Sequence, residues 1–211
     1  MLAIRPLAAV MLALTVLTGC FTGQRPSFAP IDPAFTDPAI AAVLTRLETV
    51  SPGPFTAQYN LLTKFGNLTT LAAVTRLDPT QSAVTIGTIR YIFGTTGAQT
   101  CDLALSTCTP NTDDTKVSNL SLTHSFFTES PAARIRQDAT AAASTPIGSV
   151  QQIAGQSATC VQIPFAAGNK LYCALENGLL ALQDTPDLRI ELTSLTPVAD
   201  SNMMNPTITA G

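Results

Sequence analysis

Downstream of residue 55, apolar and polar side chains alternate with a period of two, which is the pattern of strands that bury one face. Glycine, asparagine and proline separate the alternating segments, and Asn177-Gly178 between two of them is a strong hairpin signal. A further hairpin is predicted around Cys101 and Cys108. The pattern predicts strands over residues 55–61, 68–77, 83–93, 149–153, 158–165, 170–176, 179–184 and 188–195.

One segment upstream of the strands has the spacing of a helix instead. Asp37 can cap it, Pro38 suits its first position, and four apolar residues recur every three or four positions. The pattern therefore predicts a helix over residues 38–49, which the prolines and glycine of residues 51–54 end. Residues 132–137 have the pattern of a short helix or of a strand, and the sequence leaves that choice open.

These elements predict an α+β domain over residues 38–197. One helix precedes eight or nine antiparallel strands, and a sheet of that length has to curl. We expect a curled antiparallel sheet that forms an unclosed half-barrel, with the N-terminal helix over its concave face. Residues 198–211 carry no periodic pattern and are predicted to form a flexible tail.

The first residues of the chain follow the plan of an export signal. Arg5 precedes an apolar run over residues 7–17, which is shorter than the roughly 20 residues that a membrane-spanning helix needs. The run ends in Leu17-Thr18-Gly19-Cys20, which resembles the lipobox of bacterial lipoproteins. This resemblance implies that residues 1–19 are removed as a signal peptide and that the Cys20 sulfur then carries a diacylglycerol.

Residues 20–37 are rich in proline and poor in charge, so they are predicted to form an extended tether between the lipid anchor and the domain. Acyl chains anchor a protein by about 0.8 kcal/mol per buried CH₂ group. We therefore expect a protein of the cell envelope, bound to the membrane through the acyl chains on Cys20. It is held on the outer face of the plasma membrane or in the outer membrane, and the sequence does not decide between the two.

The charge balance excludes one class of partner. Removal of the leader takes Arg5 away and leaves 10 Lys and Arg against 14 Asp and Glu, a net charge of about −4. Nucleic acids bind basic surfaces that displace counterions, so nucleic acid is excluded as a partner. Charged residues make up only 12% of the chain, which leaves many apolar side chains for a core or for binding.

Four cysteines follow Cys20, at positions 101, 108, 160 and 173. An even number in an exported chain is typical of disulfides. Of the three connectivities we favour Cys101–Cys108 and Cys160–Cys173, because each pair closes a local hairpin. Antiparallel strands around the turn at 166–169 set the second pair directly opposite each other. Since no C-x-x-C spacing is present, the cysteines predict neither a metal site nor a redox centre.

The order of the elements resembles the LolA/LolB and LprG/LppX superfamily of lipoproteins. Leu44-Thr45-Arg46-Leu47 leads through a proline break into residues 55–59, which is similar to the passage from the helix to the first strand in that superfamily. The turn at 154–156 and the segment 172–180 resemble its late hairpins. The likeness covers residues 38–197 and implies a half-barrel with a helix over its mouth and an apolar cavity for acyl chains. The two disulfides are not part of the LolA/LolB pattern.

The resemblance implies that a lipid or another apolar ligand binds inside the half-barrel, and the alternation along each strand selects the lining residues. On the single strand predicted for 83–93, Val84, Ile86 and Ile92 share one face, and Ile89, Tyr91 and Phe93 share the other. The same side chains would serve equally well as a packed core beneath the helix, and this alternative stays open. The predicted ligand-binding residues are Val43, Leu44, Leu47, Phe55, Ala57, Tyr59, Leu61, Ile89, Tyr91 and Phe93.

Catalysis is not predicted. His124 is the only histidine, and no nucleophile or base stands at a recognisable spacing from it. Asp113-Asp114 lacks the spacing of a calcium loop and is expected to be a solvated turn. We therefore expect a protein that is not an enzyme and has neither cofactor nor metal. The alternative to ligand binding is an accessory lipoprotein that docks on an envelope protein complex through the apolar segment 120–127.

Overall fold

The computed structural model describes residues 37–49 and 53–205. The predicted signal peptide, the lipidation site Cys20, nearly all of the tether and residues 206–211 lie outside the described residues. In the described part of the chain, no helix is both long enough and apolar enough to cross a membrane.

Two α-helices and eleven strands make up the domain. Helix α1 covers Pro38–Glu48 and helix α2 covers Glu129–Thr140. Short 3₁₀ helices lie at Asp114–Leu120 and Ser201–Met204. The strands are β1 Phe55–Thr63, β2 Leu68–Asp78, β3 Gln81–Ile86, β4 Ile89–Gly94, β5 Gly97–Asp102, β6 Thr107–Pro110, β7 Ile147–Ile153, β8 Gln156–Phe165, β9 Gly168–Leu175, β10 Leu180–Asp184 and β11 Leu188–Thr196.

All eleven strands form one antiparallel sheet in the order β6-β5-β4-β3-β2-β1-β11-β10-β9-β8-β7. The first and last strands of the meander, β1 and β11, pair in the middle, while β6 and β7 form the two edges. The sheet is not closed into a barrel, so the predicted α+β class with a curled, unclosed antiparallel sheet is confirmed.

Helix α1 forms where the sequence predicts it. The Asp37 carboxylate accepts hydrogen bonds from the backbone N–H groups of Ala39 (2.9 Å) and Ile40 (3.1 Å), which otherwise lack partners in the first turn. Its buried residues, Ile40, Val43, Leu44 and Leu47, form one face. That face packs on β7, β8 and β9 and beside α2, on the concave side of the sheet.

The strand predicted over 83–93 is wrong as a single element. A two-residue turn at Gly87-Thr88 divides it into β3 and β4, which pair with Ile86 opposite Ile89. Gly87 has a φ of 58°, a backbone conformation that glycine adopts without steric cost, and Gly-X is a favoured sequence for such a turn.

The turn also corrects the predicted faces of these residues. Residues opposite each other in a hairpin share a face, so Val84 lies beside Tyr91 and Ile86 beside Ile89 on the concave side. Ile92 lies opposite Ala83 and therefore points to the convex side.

Residues 132–137, for which the sequence left helix and strand open, lie inside α2. Pro131, Ala132, Ile135 and Asp138 are the buried residues of this helix. Their helical spacing was present in the sequence, but a carboxylate at the fourth position weakened the apolar pattern.

The segment after β11 departs from the predicted flexible tail. It crosses the convex side of the sheet, where the backbone N–H of Asp200 donates to the hydroxyls of Thr56 and Thr75, both at 2.9 Å. Met203 is buried and packs in a small cluster with Ala83, Ile92 and Cys101. Residues 198–205 are therefore part of the folded domain.

Both predicted disulfides are present. Cys101 faces Cys108 across the β5–β6 hairpin, and Cys160 faces Cys173 across β8 and β9. The sequence predicted from the turn between β8 and β9 that Cys160 and Cys173 lie directly opposite each other, and the structure has this register.

The three tyrosines of the chain, Tyr59, Tyr91 and Tyr172, lie inside the domain and are at most 1% exposed. Burial raises the pKa of all three phenols above the ordinary value near 10. The Asp114 carboxylate adds to the rise in the pKa of Tyr91, and Asp138 adds to that of Tyr172. In each case the charged form is the one that the fold disfavours.

This burial predicts how the stability depends on alkaline pH. A phenol whose pKa is higher in the folded state contributes its full stabilisation below pH about 10 and loses it as the pH rises further. We expect the ultraviolet absorbance of phenolate to appear in one cooperative step, coincident with loss of circular dichroism. The urea-unfolded chain should instead titrate near pH 10. A gradual rise of phenolate absorbance in the folded chain would contradict the burial of the tyrosines.

Candidate functional site

The concave side of the sheet brings together all ten residues predicted to bind a ligand. They come from α1, β1 and β4, and nine of them are between 0% and 7% exposed, while Phe93 is partly buried at the edge of the same cluster. Their common location agrees with the alternation along the strands. Whether they bind a ligand stays a prediction.

The chain's own helical segments fill the space above these residues. Phe126, from the loop before α2, sets its ring edge against Tyr59 at a centroid distance of 5.2 Å. Phe127 packs in turn against Phe126 at 5.8 Å, and its carbonyl oxygen accepts a hydrogen bond from the backbone N–H of Leu180. Because the side chains on the sheet and on the helices contact one another, this part of the molecule is a packed core.

The packing corrects the docking surface predicted at residues 120–127. Leu120, Leu122 and Phe127 are each 8% exposed and Phe126 is 1% exposed. All four belong to the main core cluster. An apolar segment without periodicity resembles an exposed patch in the sequence, but here it supplies the inner layer that covers the sheet.

The described clefts that border the predicted ligand-binding residues lie at the rim of the sheet. One of about 480 Å³ is lined by Leu47, Arg76, Thr128 and Glu129, between the end of α1 and the start of α2. Arg76 there lies over the ring of Phe55 at 5.5 Å. Of the ten predicted residues, Leu47 borders this cleft and Phe55 borders a second one. The rim clefts therefore touch only the margin of the predicted ligand site.

The Tyr59 hydroxyl is a polar atom inside this core. It is fully buried and has no hydrogen-bond partner among the described residues. An unpaired buried hydroxyl costs roughly 1–3 kcal/mol relative to a paired one. The tyrosine offsets part of this cost through its ring, which packs edge-on against Phe126.

A buried carboxylate fastens α2 to the sheet. Asp138 accepts a hydrogen bond of 2.6 Å from the Tyr172 hydroxyl and one of 2.6 Å from the Lys170 ammonium group. Lys170 also lies over the Phe165 ring at 4.4 Å. Sequence reasoning missed Asp138, although its position three residues after Ile135 on the buried face of α2 is the signal that would have marked it.

His124 fastens the loop before α2 in a similar way. Its backbone N–H and its ring Nδ1 both contact the Asp114 carboxylate, at 2.8 Å and 2.9 Å. The ring packs against Tyr91 and Phe93. Asp113 caps the neighbouring 3₁₀ helix, so the Asp113-Asp114 pair, expected to be a solvated turn, holds the covering segment in place.

The described residues include no group of three histidine, cysteine, aspartate or glutamate side chains that could hold a metal ion. The Asp114–His124 pair has the geometry of an oriented base, but the described hydroxyls of Thr123, Ser125 and Ser130 bond to one another. The arrangement therefore supports a structural contact rather than an activated nucleophile.

Among the described residues, apolar side chains stay exposed at a hairpin tip and along an edge strand, and sequence reasoning identified neither place. The tip of the β1–β2 hairpin exposes Phe65 (92%) and Leu68 (52%), whereas Leu71 (69%) lies farther along β2 on its opposite face. The edge strand β7 exposes Ile147 and Val150, one on each of its faces. Phe65 stands immediately before the turn residues Gly66-Asn67, and this position was the signal available in the sequence.

The role of Asp138 can be tested by comparing it with a more exposed ion pair, Lys64–Asp184, which has the same 2.6 Å distance. Asp138→Ala leaves the buried Tyr172 hydroxyl without its acceptor, so we expect a loss of about 2–3 kcal/mol in the free energy of unfolding. Lys64→Ala removes the Lys64–Asp184 pair, which is also 2.6 Å long but more exposed, and should cost less than about 1 kcal/mol. Urea unfolding measures both, and equal losses would show that Asp138 does not fasten α2.

Comparisons with known proteins find similarity at the level of the fold. No protein-family model and no curated protein sequence matches the chain. Of the solved structures, a chain of the MucA/MucB complex of Pseudomonas aeruginosa matches 78% of this chain with a TM-score of 0.50 and 11% identity. This chain covers 60% of that one.

LprF from Mycobacterium bovis matches 79% of this chain at 10% identity, with a TM-score of 0.40 and 98% of its own length covered. At such identities the likeness concerns the fold alone. The similarity to the MucA/MucB chain is therefore one of fold.

Proposed function

We propose that this chain is a membrane-anchored protein of the cell envelope that binds another protein at its outer surface and is not an enzyme. One observation carries the proposal: the concave side, where a ligand would lie, is filled by the chain's own helical segments. Nine of the ten candidate lining residues are at most 7% exposed, so an acyl chain could reach them only if the covering segment moved away.

The proposed docking surface is the tip of the β1–β2 hairpin, formed by Phe65 and Leu68. Single exposed apolar residues are ordinary, but two large ones within four positions of one hairpin tip form a group. Aromatic side chains contribute disproportionately to protein interfaces because they bury a large area with little loss of conformational freedom. The position of Phe65 beside a turn leaves its whole ring free to enter a pocket on a partner.

The comparison with the MucA/MucB complex supports the proposal that the chain binds another protein. The solved chain of similar fold belongs to a complex of MucA and MucB, so that fold occurs in a protein–protein complex. The present chain covers only about three fifths of the MucB chains, and no partner is carried over from them.

A second candidate function is the transport or sensing of an apolar ligand, and one observation favours it. The Tyr59 hydroxyl is buried and has no hydrogen-bond partner in the part of the chain that the structure describes. The segment that covers it is fastened at Asp138 and Asp114 by polar contacts. If that segment moved away as a lid, Tyr59 would stand at the centre of an apolar trough and could donate to a ligand headgroup.

The docking proposal predicts where the chain contacts its partner. A photoreactive phenylalanine analogue at position 65 should cross-link to a protein in intact cells, because the ring is the most exposed apolar group of the described domain. The matched control is the same analogue at Leu105, an apolar residue that is 68% exposed in another hairpin turn. We expect a protein adduct at position 65 and none at 105.

Three outcomes of this experiment contradict the proposal. Equal adducts at both positions would show nonspecific contact, adducts with lipid at position 65 would place the hairpin on the bilayer, and no adduct would remove the surface. Uptake of a fluorescent fatty acid by residues 21–211, with displacement by unlabelled fatty acid, would favour the ligand carrier instead.

The anchor has its own test, which does not depend on the docking surface. In a bacterial host, labelled palmitate should enter the wild-type chain and should be absent from Cys20→Ser, because only a thiol at that position can form the thioether. Since acyl chains supply the membrane affinity, the variant should also leave the membrane fraction or stay uncleaved. Palmitate in Cys20→Ser would overturn the lipobox interpretation.

A further inference from the structure

Within residues 37–49 and 53–205, strand β7 is an edge strand without the usual protections against pairing. It is seven residues long, it contains neither proline nor a charged residue, and it exposes Ile147 (58%) and Val150 (68%). Natural edge strands are commonly shortened, charged or interrupted by proline, because a free edge presents unpaired N–H and C=O groups to any other strand.

The opposite edge shows such protections in the same molecule. Strand β6 has four residues, it ends at Pro110, which lacks an N–H group, and the Cys101–Cys108 disulfide ties it to β5. The two edges therefore differ, because β6 is short, ends in proline and is disulfide-bonded, whereas β7 has none of these features.

The hairpin that contains β7 carries no charged side chain. Residues 139–169, which include all of β7 and β8, contain no Asp, Glu, Lys, Arg or His. The chain carries a net charge of −3, so two copies repel each other over much of their surface. A contact through the charge-free hairpin avoids that repulsion at short range.

The sequence of β7 is nearly symmetric about its central residue. Reading outward from Val150, Ser149 matches Gln151 in polarity and Ile147 matches Ile153, while Gly148 and Gln152 differ. An antiparallel pair of β7 strands with Val150 opposite Val150 would therefore set isoleucine against isoleucine and polar residues against each other. A two-fold interface requires this self-complementarity, because each copy contributes the same surface.

The edge is also held rigidly. The Cys160–Cys173 disulfide joins β8, the neighbour of β7, to β9. On the concave side α1 lies so close that a Cβ atom at Gly148 would be 3.2 Å from that of Ala39. A strand that is ordered in advance loses little conformational entropy when it pairs.

We propose that two copies of this chain pair through their β7 strands, antiparallel and about a two-fold axis at Val150. The two sheets then continue into each other across the axis. This inference rests on the edge strand alone and is independent of the docking surface at Phe65 and of the question of a ligand.

Cross-linking of the full-length chain tests the register. The strands place position 150 of one copy directly opposite position 150 of the other, within reach of a disulfide. Val150→Cys should therefore form a covalent dimer on mild oxidation, with the peptide of residue 150 linked to itself in nonreducing peptide mapping. Val198→Cys, which replaces a residue of nearly equal exposure (66%) on another face, should give no such dimer.

A charge exchange tests the interface without a thiol. Val150→Lys sets two like charges opposite each other, so light scattering should show loss of the dimer, with unchanged circular dichroism since the site is exposed. An equal mixture of the Val150→Lys and Val150→Glu chains should restore a dimer, whereas Val150→Thr alone should keep it.

Two results would overturn the proposal. A Val150→Cys chain that cross-links no more than Val198→Cys would show that the edges do not meet. A disulfide from position 150 to a different protein would show that β7 receives a foreign strand. Neither result bears on the cross-link expected at Phe65.

Discussion

The packing of helical segments against the concave side of the sheet is the interaction on which the rest of this structure depends. Eleven strands in one curled sheet present a broad apolar surface that the strands cannot bury by themselves. Helix α1 and the segment from Asp114 through α2 bury it, and each fully buried large apolar side chain contributes about 1.5–3 kcal/mol. The same packing occupies the space that a ligand would need, so core and cavity compete for one volume.

Polar contacts decide how firmly that cover is held. Asp138 anchors α2 through Tyr172 and Lys170, and Asp114 anchors the preceding loop through His124. Breaking a buried contact of this kind costs more than the intact contact contributes, because the abandoned partner stays out of water. The cover is therefore specified in position by a few directional contacts, while its free energy comes from apolar burial.

Local sequence patterns predicted the elements that local rules govern. Asp37-Pro38 and the spacing of Ile40, Val43 and Leu44 defined α1, and alternation from Phe55 defined β1. The register of Cys160 and Cys173 followed from the position of the turn between them. In each case the signal and the structure that it produces lie within about a dozen residues of each other.

The wrong predictions have two causes, a local signal that fits two structures and contacts between segments distant in the sequence. The β-branched residues around Gly87 read as one strand, because a glycine in such a run fits a kink as well as a turn. The segment 120–127 has no period of its own, and only the shape of the sheet makes it an inner layer. Residues 198–205 fold because Thr56 and Thr75 receive the backbone of Asp200, two hydroxyls more than a hundred positions away in sequence.

The two disulfides stabilise the two edges of the unclosed sheet differently. Strands at the edges have a neighbour on one side only, so they open first when a sheet frays. The Cys101–Cys108 bridge lies in the edge strand β6 itself, whereas Cys160–Cys173 lies one strand inside the other edge and leaves β7 held by backbone hydrogen bonds and by α1. The covalently pinned edge is also the one that ends in proline. Strand β7 has a rigid support behind it, and no strand of the described residues pairs with its outer edge. This is the combination that pairing with another strand requires.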